Sequence, residues 1–429
     1  MEPSYIEEVR LTAFKSFVGA ALPLEELTLL IGRNGSGKSN ALDGLRALAR
    51  MAEGDVRDAL DGGRDGPAVR GGAAGCAPLG ESSFSLGCTV RSGGEQVGFD
   101  VVVQTEPEVR VVQEQISTGH EQPVLESALF PDSNDLQATW TEPSGATERL
   151  RFRSSRLMLT QVLGRVPATT AGRAVHRGAD QILAALRGVF VLDPVPERLR
   201  QYVRAGDTRL RRNAENLSAV VGALLDRPDT AARISQAMNR LNEQPVTGVE
   251  LSRSELDDVM LTLVERFAGH EQRVAARMMS DGSLRFLAIL VALLEAPPAQ
   301  AADPDEPSGQ TTLVIEELEN GLHASQAAVL VELIREEVAR RRVRALATAH
   351  SPALLDAFTG EQHRGVVVCE RDAEGRSTLT RLVDMPGYLD VVLQGSLGRA
   401  AVADAIHRHD GSPVSAADAL DEVLRGRSG

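Results

Sequence analysis

Lysine is almost absent from this sequence. Only two of its 46 basic residues are lysines, Lys15 and Lys38, and all the others are arginines. An arginine carries a planar, delocalised charge, whereas a lysine carries a compact point charge. A lysine in so arginine-rich a chain therefore indicates a position at which a compact charge is needed, and the residues around Lys38 show what that need is.

Aromatic residues and cysteines are also few. Phenylalanine, tyrosine and tryptophan make up 3% of the chain, so the core is expected to be mostly aliphatic. The three cysteines, Cys76, Cys88 and Cys369, lie far apart in the sequence. Their spacing fits neither a zinc-binding pattern nor a disulfide framework. We expect all three to be small buried apolar residues.

The sequence has no apolar run of the roughly 18 residues that a membrane span needs. Its beginning, MEPSYIEEVR, is acidic and lacks the apolar segment of a signal peptide. The net charge of −14 argues against a broadly basic surface, and hence against strong sequence-independent binding of nucleic acid by the whole molecule. We therefore expect a cytoplasmic protein with no membrane partner, in which any contact with nucleic acid is local.

The segment GRNGSGKS, residues 32–39, matches the phosphate-binding pattern G-x-x-x-x-G-K-[ST]. Glycines allow a tight turn whose backbone N–H groups point at one cluster of phosphate oxygens, and the helix that follows adds its positive end. Lys38 would lie between the β- and γ-phosphates, and the Ser39 hydroxyl would ligate Mg²⁺. The apolar run LTLLI predicts a buried strand before the loop, and leucines at helical spacing predict a helix after it. The predicted nucleotide-binding residues of this segment are Gly32, Arg33, Asn34, Gly35, Ser36, Gly37, Lys38, Ser39 and Asn40.

An acidic pair follows another apolar run, in TTLVIEELENGLH at residues 311–323. Open α/β sheets bind ligands at the carboxyl ends of their strands, so both acids are expected beside the phosphate loop. Glu316 would hold the Mg²⁺ shell through water, and Glu317 would act as general base or orient the attacking water. His350 follows a third apolar run, in ATAHSP, and would reach a γ-phosphate. A solvated strand end and a plain structural histidine are the alternatives.

A small polar helix start lies in MSDGSLRFLAIL, residues 279–290. Ser280, Asp281 and Gly282 have the composition of a helix cap. A capped core helix is one interpretation of this segment. The other adds an anion site, formed by Ser280 and Gly282, because helix N-termini bind anions.

The alternation of apolar runs, glycine-rich turns and helical periodicity predicts an α/β protein of several lobes. An ATPase core is expected in two separated parts, with two lobes inserted between them. The proline-rich acidic segment has the composition of disorder. The predicted segments are a split P-loop ATPase core (1–60 and 310–385), an antiparallel β lobe (80–155), a helical lobe with the Ser280 helix (174–296), a disordered insertion (297–310) and a helical tail (386–429).

In chain order, the phosphate loop, the serine–glycine helix start, the acidic strand end and the strand-end histidine resemble the ABC-type ATPase fold. Within it the chain is similar to the RecF/SMC-like branch of AAA-type core ATPases, the AAA_21 group, which includes the overcoming-lysogenization-defect (OLD) family. The motifs that carry the likeness are FKSF, SDGSLRFLAIL, IEELENGLH, AHSP and VFVLDPVPERLR. Three features depart from the family pattern: MSDGS replaces LSGGQ, Glu316 replaces the more usual aspartate, and the glutamine-bearing loop is not obvious, with Gln161 as a candidate.

The resemblance implies that two subunits sandwich two ATP molecules with Mg²⁺. Ser280 and Gly282 would then meet the γ-phosphate held by the other subunit, and Asn320 and Gly321 would communicate across the dimer. Some relatives carry a C-terminal Toprim nuclease, which needs an Asp-x-Asp pair; none follows Cys369, so we expect no such domain. The implied catalytic residues are Lys38, Glu317 and His350, and the implied metal-binding residues are Ser39 and Glu316.

These features predict a protein that binds and hydrolyses ATP, dimerises on ATP and couples turnover to DNA-related work, in repair or anti-phage defence, through a separate effector such as a nuclease or toxin. Arginines at 149–156 and 198–212 either contact a DNA or RNA backbone or form solvated faces paired with acids. Aromatic residues nearby are too few for base stacking. The alternatives are the nucleotide-binding subunit of a membrane transporter and an ATP-gated scaffold that does not hydrolyse ATP.

Overall fold

A computed structural model describes residues 3–63, 67–119, 122–131, 133–295 and 309–386, together with Tyr388, Val392 and Leu397. Most of the predicted disordered insertion (297–310) and of the predicted helical tail (386–429) lies outside the described residues. Within them the chain forms nine α-helices and eighteen β-strands.

The strands and helices follow one another in the chain order expected of an α/β protein. The strands are β1 (Tyr5–Phe14), β2 (Phe17–Pro23), β3 (Leu27–Ile31), β4 (Ser83–Ser92), β5 (Glu95–Gln104), β6 (Arg110–Thr118), β7 (Gln122–Leu129), β8 (Asp135–Thr141), β9 (Thr147–Arg153), β10 (Val189–Leu192), β11 (Val203–Arg204), β12 (Val246–Arg253), β13 (Asp258–Phe267), β14 (His270–Ala275), β15 (Thr312–Ile315), β16 (Arg344–Ala349), β17 (Val366–Arg371) and β18 (Ser377–Arg381). The helices are α1 (Lys38–Met51), α2 (Val56–Asp61), α3 (Thr170–Arg187), α4 (Pro196–Leu199), α5 (Leu217–Leu225), α6 (Pro228–Leu241), α7 (Asp281–Glu295), α8 (Ala324–Arg341) and α9 (Pro352–Asp356). Among the described residues, no helix is both long enough and apolar enough to cross a bilayer.

Fourteen strands form one continuous sheet in the order β10-β15-β16-β3-β17-β18-β2-β1-β4-β5-β6-β7-β8-β9. The first five are parallel to one another, and β17 pairs with β18 in antiparallel orientation. All five residues of β3 are buried, as expected for a central parallel strand that is covered on both faces. From β2 to β9 the pairing is antiparallel throughout. The predicted α/β fold with an antiparallel β lobe is confirmed, and the lobe is a continuation of the central sheet.

The parallel strands separate two apolar cores. Side chains along a strand alternate between the faces of a sheet, and accordingly Leu29 of β3 packs in one core and Leu30 in the other. Leu45 of α1 and Ile182 of α3 pack in the core of Leu30, and Leu287 of α7 packs in the core of Leu29. Because helices cover both faces, the carboxyl ends of the parallel strands are the edge left for a site.

The predicted helical lobe, residues 174–296, is only partly helical. It contains α3 to α7, but residues 246–275 form β12, β13 and β14, which join β11 in a second, antiparallel sheet. The apolar sequence of β13, DVMLTLVERF, is compatible with a buried strand or a buried helix segment, and periodicity alone does not separate the two. The same region supplies β10 to the main sheet, so the parallel core also takes a strand from outside residues 1–60 and 310–385.

Candidate functional site

The predicted phosphate loop lies at the carboxyl end of β3 and leads directly into α1. Gly37 precedes α1 with a φ of 118°, in the left-handed region that favours glycine. A Cβ atom on Gly37 would lie 2.3 Å from Ser377 Oγ, and one on Gly32 would lie 2.1 Å from the carbonyl oxygen of Cys369. Close packing therefore requires a glycine at both positions, against a backbone carbonyl at Gly32 and against the Ser377 side chain at Gly37, in addition to any role towards a ligand.

Lys38 is folded back over this loop. Its side chain is buried, and its ammonium group donates to the carbonyl oxygens of Gly32 (2.6 Å) and Arg33 (3.0 Å). Burial lowers the pKa of Lys38, while nearby negative groups, among them Glu319 and Glu317, act to raise it. An anion held by the loop would favour the charged form of Lys38 further, because an opposite charge at short range stabilises an ion.

Hydrogen bonds between hydroxyl groups connect the phosphate loop to neighbouring strands and turns. Ser377 Oγ donates to the carbonyl oxygen of Ser36 (2.5 Å) and lies 2.8 Å from Ser16 Oγ. Asn40 Nδ2 donates to the same Ser16 Oγ (2.9 Å), so the Asn40 side chain holds the turn between β1 and β2, which is the FKSF segment. Cys369 also lies under the loop, where burial raises the pKa of its thiol to about 11. All three cysteines are buried, as predicted.

The structure brings the two predicted metal-binding residues together. Glu316 follows β15 directly, and its Oε1 atom accepts from Arg46 Nη1 (2.7 Å) and Arg70 Nη2 (3.1 Å). Arg70 Nη2 also donates to the carbonyl oxygen of Ser39 (2.9 Å). A guanidinium group therefore bridges Ser39 and Glu316.

Asp43 of α1 anchors these cations. Its side chain is buried and accepts from Lys15 Nζ (2.7 Å) and from Arg70 Nε (3.1 Å), and Arg46 Nη1 lies 3.5 Å away. A buried carboxylate is tolerated only where ion pairs and hydrogen bonds compensate for its lost hydration. Through Asp43, α1, the β1–β2 turn and the segment after α2 are joined into one charged cluster, the Asp43 cluster, which comprises Lys15, Asp43, Arg46, Arg70 and Glu316.

Glu317 and His350 line one cleft with loop residues 32–36. The cleft has a volume of about 1110 Å³, and Glu319 and Asn320 lie in its wall. The backbone N–H of His350 donates to the carboxylate of Glu319, and this hydrogen bond fixes the start of the AHSP segment. The predicted general base and the predicted γ-phosphate ligand therefore face the phosphate loop across a shared space large enough for a small molecule.

The backbone at Glu317 is strained. Its φ is 51°, in the left-handed region that residues other than glycine rarely adopt. The Glu317 N–H donates to Thr348 Oγ1 (2.9 Å), and Asn320 Nδ2 donates to the Glu317 carboxylate. Strain of this kind persists where surrounding contacts enforce it and is concentrated at functional sites.

The start of α7 lies outside this cleft. Ser280 is exposed, and its hydroxyl accepts from the Ser283 N–H (3.1 Å), which confirms the helix cap. Gly282 is buried: a Cβ atom on it would lie 2.0 Å from the carbonyl oxygen of Gly321. Neither Ser280 nor Gly282 lines the cleft of its own chain. Gly282 is required by its contact with the segment that follows the acidic pair.

Sequence comparison identifies the family. The profile of the family AAA_21, described as "AAA domain, putative AbiEii toxin, Type IV TA system", matches residues 27–356. The chain belongs to the AAA_21 family. The match spans the phosphate loop, the Ser280 helix start, the acidic pair and His350, so the resemblance inferred from these motifs is confirmed. No curated protein sequence matches the chain.

Solved structures similar to this AAA_21 protein include three head domains of SMC proteins. The SMC head domain from Thermotoga maritima is 13% identical, with 88% of this chain and 98% of that chain covered and a TM-score of 0.41. An SMC head bound to the C-winged-helix domain of ScpA is 12% identical (88% and 97% covered, TM-score 0.43). An SMC head with an extended coiled coil, bound to the C-terminal domain of ScpA derived from Pyrococcus furiosus, is 12% identical (91% and 99% covered, TM-score 0.43).

Gln161, the candidate for a glutamine-bearing loop in this AAA_21 chain, is used elsewhere. Its amide accepts from the Arg153 N–H (3.1 Å) and donates to the Arg153 carbonyl oxygen (3.0 Å). The residue that lies beside Glu316 at the carboxyl end of the neighbouring strand is Asp193, because Leu192 of β10 pairs in parallel register with Ile315 of β15. Sequence reasoning missed Asp193, although VFVLD shows the same pattern of an apolar run that ends in an acid.

Sequence reasoning also missed the Asp43 cluster. Ser39, Asp43 and Arg46 recur at helical spacing, so they occupy one face of α1. That pattern predicts a polar stripe beside the phosphate loop, and an aspartate and arginine among the leucines of a buried helix were the available signal. Arg70 left no such signal, because it lies in a glycine-rich segment between secondary-structure elements.

Proposed function

We propose that this AAA_21 protein binds ATP with Mg²⁺ and hydrolyses it. The observation that carries the proposal is the single cleft shared by the phosphate loop, Glu317 and His350. In it the loop N–H groups and Lys38 would hold the phosphates, and His350 would contact the γ-phosphate. Glu317 would orient the attacking water or take its proton, a task for which a carboxylate must lie within hydrogen-bond reach of that water.

The donor set suits Mg²⁺ in part. The Ser39 hydroxyl and the Glu316 carboxylate offer oxygen atoms, the ligand type that Mg²⁺ takes. One guanidinium group contacts both residues, at the carbonyl oxygen of Ser39 and at the carboxylate of Glu316. No group of three or more His, Cys, Asp and Glu side chains in the described part of the chain could hold a metal ion. Phosphate oxygens and water would therefore complete the shell, as is common for Mg²⁺. The bound metal would neutralise charge that develops on the phosphates.

The position of the start of α7 supports the proposed dimerisation on ATP. Ser280 is exposed and lies outside the cleft of its own chain, and Met278 beside it is 74% exposed. A helix N-terminus that exposes a small polar residue and an apolar side chain to solvent has the chemistry of a contact that a second copy completes. In the proposed dimer Ser280 of each subunit would meet the γ-phosphate held by the other.

The two groups of arginines differ in a way that bears on nucleic acid. In the 198–212 group, Arg198 and Arg211 both pair with Glu215 (2.9 and 2.6 Å), so those charges are largely neutralised. On β9, Arg149, Arg151 and Arg153 are exposed and alternate along the edge strand of the sheet. Among the described residues, no carboxylate forms an ion pair with these three arginines. We assign any contact with a DNA backbone to β9.

The biological context is proposed from the family alone. Its description names a putative toxin and a toxin–antitoxin system. That wording fits a role in a toxin–antitoxin system. We propose that the protein works alongside a separate effector, in anti-phage defence or in another DNA-related process. ATP-driven dimerisation would then be the event that the effector detects.

Glu317→Gln tests hydrolysis. The variant is expected to bind ATP normally and to lose about 10²–10⁴ of its turnover, the usual contribution of a positioned acid or base. Glu319→Gln is the matched control in the same cleft, and it should lose less because glutamine retains an oxygen that can accept the His350 N–H. Binding is measured by calorimetry and turnover by phosphate release. Turnover of Glu317→Gln equal to that of the parent would refute the assignment, and a parent that binds ATP without turnover would favour the scaffold.

A further inference from the structure

Arg70 differs from the other cations of the Asp43 cluster in its exposure to solvent. Its side chain is 50% exposed, whereas those of Lys15 and Arg46 are 9% and 10% exposed. Its backbone is held on one side, where Lys15 Nζ donates to the Arg70 carbonyl oxygen (2.8 Å). On the other side follow Gly71 and Gly72, with φ values of 85° and 63°. The segment that carries the guanidinium group is therefore held at Arg70 and is followed by two glycines, which can adopt more backbone conformations than other residues.

Arg70 and Arg46 share one oxygen atom of Glu316. Arg46 Nη1 makes the shorter contact with Oε1, 2.7 Å, from a buried position on α1. The contact of Arg70 Nη2 is 3.1 Å, and the same nitrogen also donates to Ser39 (2.9 Å). If Arg70 left Glu316, Arg46 would keep the carboxylate in place, and Arg70 would retain Asp43. The cluster therefore has one fixed and one replaceable cation at Glu316.

Arg70, the replaceable cation, contacts both residues that are proposed to bind Mg²⁺ or its water ligands. Ser39 and Glu316 are the two oxygen donors that suit Mg²⁺, and Arg70 bridges the residues that carry them. We infer that Arg70 competes with the metal shell for Glu316 and so sets how strongly nucleotide binding depends on Mg²⁺. The inference rests on the proposed nucleotide site. It makes Arg70 a positioning residue, which acts through Glu316.

The size of the effect follows from Coulomb's law. Because Arg70 is half exposed, a water-like dielectric applies, and charges of +1 and +2 about 6 Å apart then change a binding constant by up to roughly tenfold. Screening by salt reduces this value, so about three- to tenfold is expected. Removing the Arg70 charge should weaken binding of metal-free ATP and favour the metal-bound complex. The affinity ratio, with Mg²⁺ over without it, should rise by that factor.

The experiment measures ATP affinity by calorimetry in saturating Mg²⁺ and in EDTA, for the parent and for Arg70→Gln, Arg70→Lys and Arg57→Gln. Arg57 is the matched control, an exposed arginine of α2 whose ion-pair partner is Asp61 (4.0 Å). We expect the ratio to rise three- to tenfold in Arg70→Gln only, because Arg70→Lys keeps the charge.

The ratio separates this role from a purely structural one. A variant whose loop is merely disturbed would lose affinity equally in both conditions, and an unchanged ratio in Arg70→Gln overturns the inference. An Arg70→Lys ratio equal to that of Arg70→Gln would also overturn it, because charge would then not be the cause. A parent that binds ATP in neither condition would instead refute the proposed nucleotide site.

Discussion

Replacing Ser280 with arginine tests whether the start of α7 completes a site on a second subunit. Ser280 is exposed, and it does not line the cleft of its own chain. At a dimer contact its small side chain would leave room for phosphate oxygens beside the first turn of α7. An arginine side chain would fill that space. We expect Ser280→Arg to abolish ATP-dependent dimerisation.

The cost of this change to the fold is small. Ser280 Oγ accepts from the Ser283 N–H (3.1 Å) and donates to Ser283 Oγ (2.9 Å). Losing such a cap costs about 0.5–2 kcal/mol of unfolding free energy, against a typical stability of about 5–15 kcal/mol. Each kcal/mol lowers Tm by roughly 2–4 °C in domains of about 150–250 residues, and by less in a larger cooperative unit. Ser280→Ala loses the same cap without adding bulk, so it is the matched control.

The assay compares oligomeric state by sedimentation, with ATP, in a Glu317→Gln background that preserves bound nucleotide. The background protein and its Ser280→Ala derivative should sediment as dimers, and the Ser280→Arg derivative as a monomer. Thermal melts should show similar decreases in Tm for the two Ser280 variants. A folded Ser280→Arg protein that dimerises as readily as the background would show that this helix start takes no part in the contact.

Three further outcomes are expected. Lys38→Ala should abolish ATP binding with Tm nearly unchanged, and unaltered affinity would remove the loop assignment. Replacing Arg149, Arg151 and Arg153 together by glutamine should lower the slope of log affinity for duplex DNA against log salt by about 3, at roughly 0.9 per phosphate contact. Replacing Arg198 and Arg211, which are paired with Glu215, should leave this slope nearly unchanged. Equal slopes for the two variants would refute the assignment of DNA contact to β9. Burial raises the pKa of Glu114 from 4.5 to about 8, so the folded state binds its proton more tightly, and stability should fall as pH rises from about 4.5 to 8. Glu114→Gln should flatten that dependence of Tm and exposed Glu126→Gln should not; a Glu114→Gln profile identical to that of the parent would contradict this account.

What the sequence predicted well depends on local pattern. The β3–loop–α1 unit is specified by an apolar run, fixed glycines and leucines at helical spacing, and the structure has it within a residue or two. The strand before the acidic pair, β15 (Thr312–Ile315), was predicted from three consecutive apolar residues that end just before Glu316. Neighbouring residues in the chain decide these features, so a single sequence contains them.

What the sequence did not predict depends on contacts between distant residues. Arg70 and Glu316 are 246 residues apart, and no pattern around Arg70 marks its partner. Asp193 lies beside Glu316 because β10 pairs with β15. Packing between distant segments determines this strand order, so the local sequence does not predict it. Gly282 was predicted to belong to a helix cap or an anion site. The structure shows in addition that the carbonyl oxygen of Gly321 leaves no room for a side chain at this position.

The two halves of the proposed site are joined within one chain through α7. Gly282 packs directly on Gly321, which follows the acidic pair by four residues. One turn further along α7, Arg285 Nη2 donates to the carbonyl oxygen of Glu316 (3.3 Å) and lies 3.5 Å from that of Glu317. A partner that displaced the start of α7 would therefore pull on the strained backbone that orients the Glu317 carboxylate. Close packing transmits such shifts because a dense core deforms little. We therefore expect a contact at Ser280 to influence the orientation of the Glu317 carboxylate.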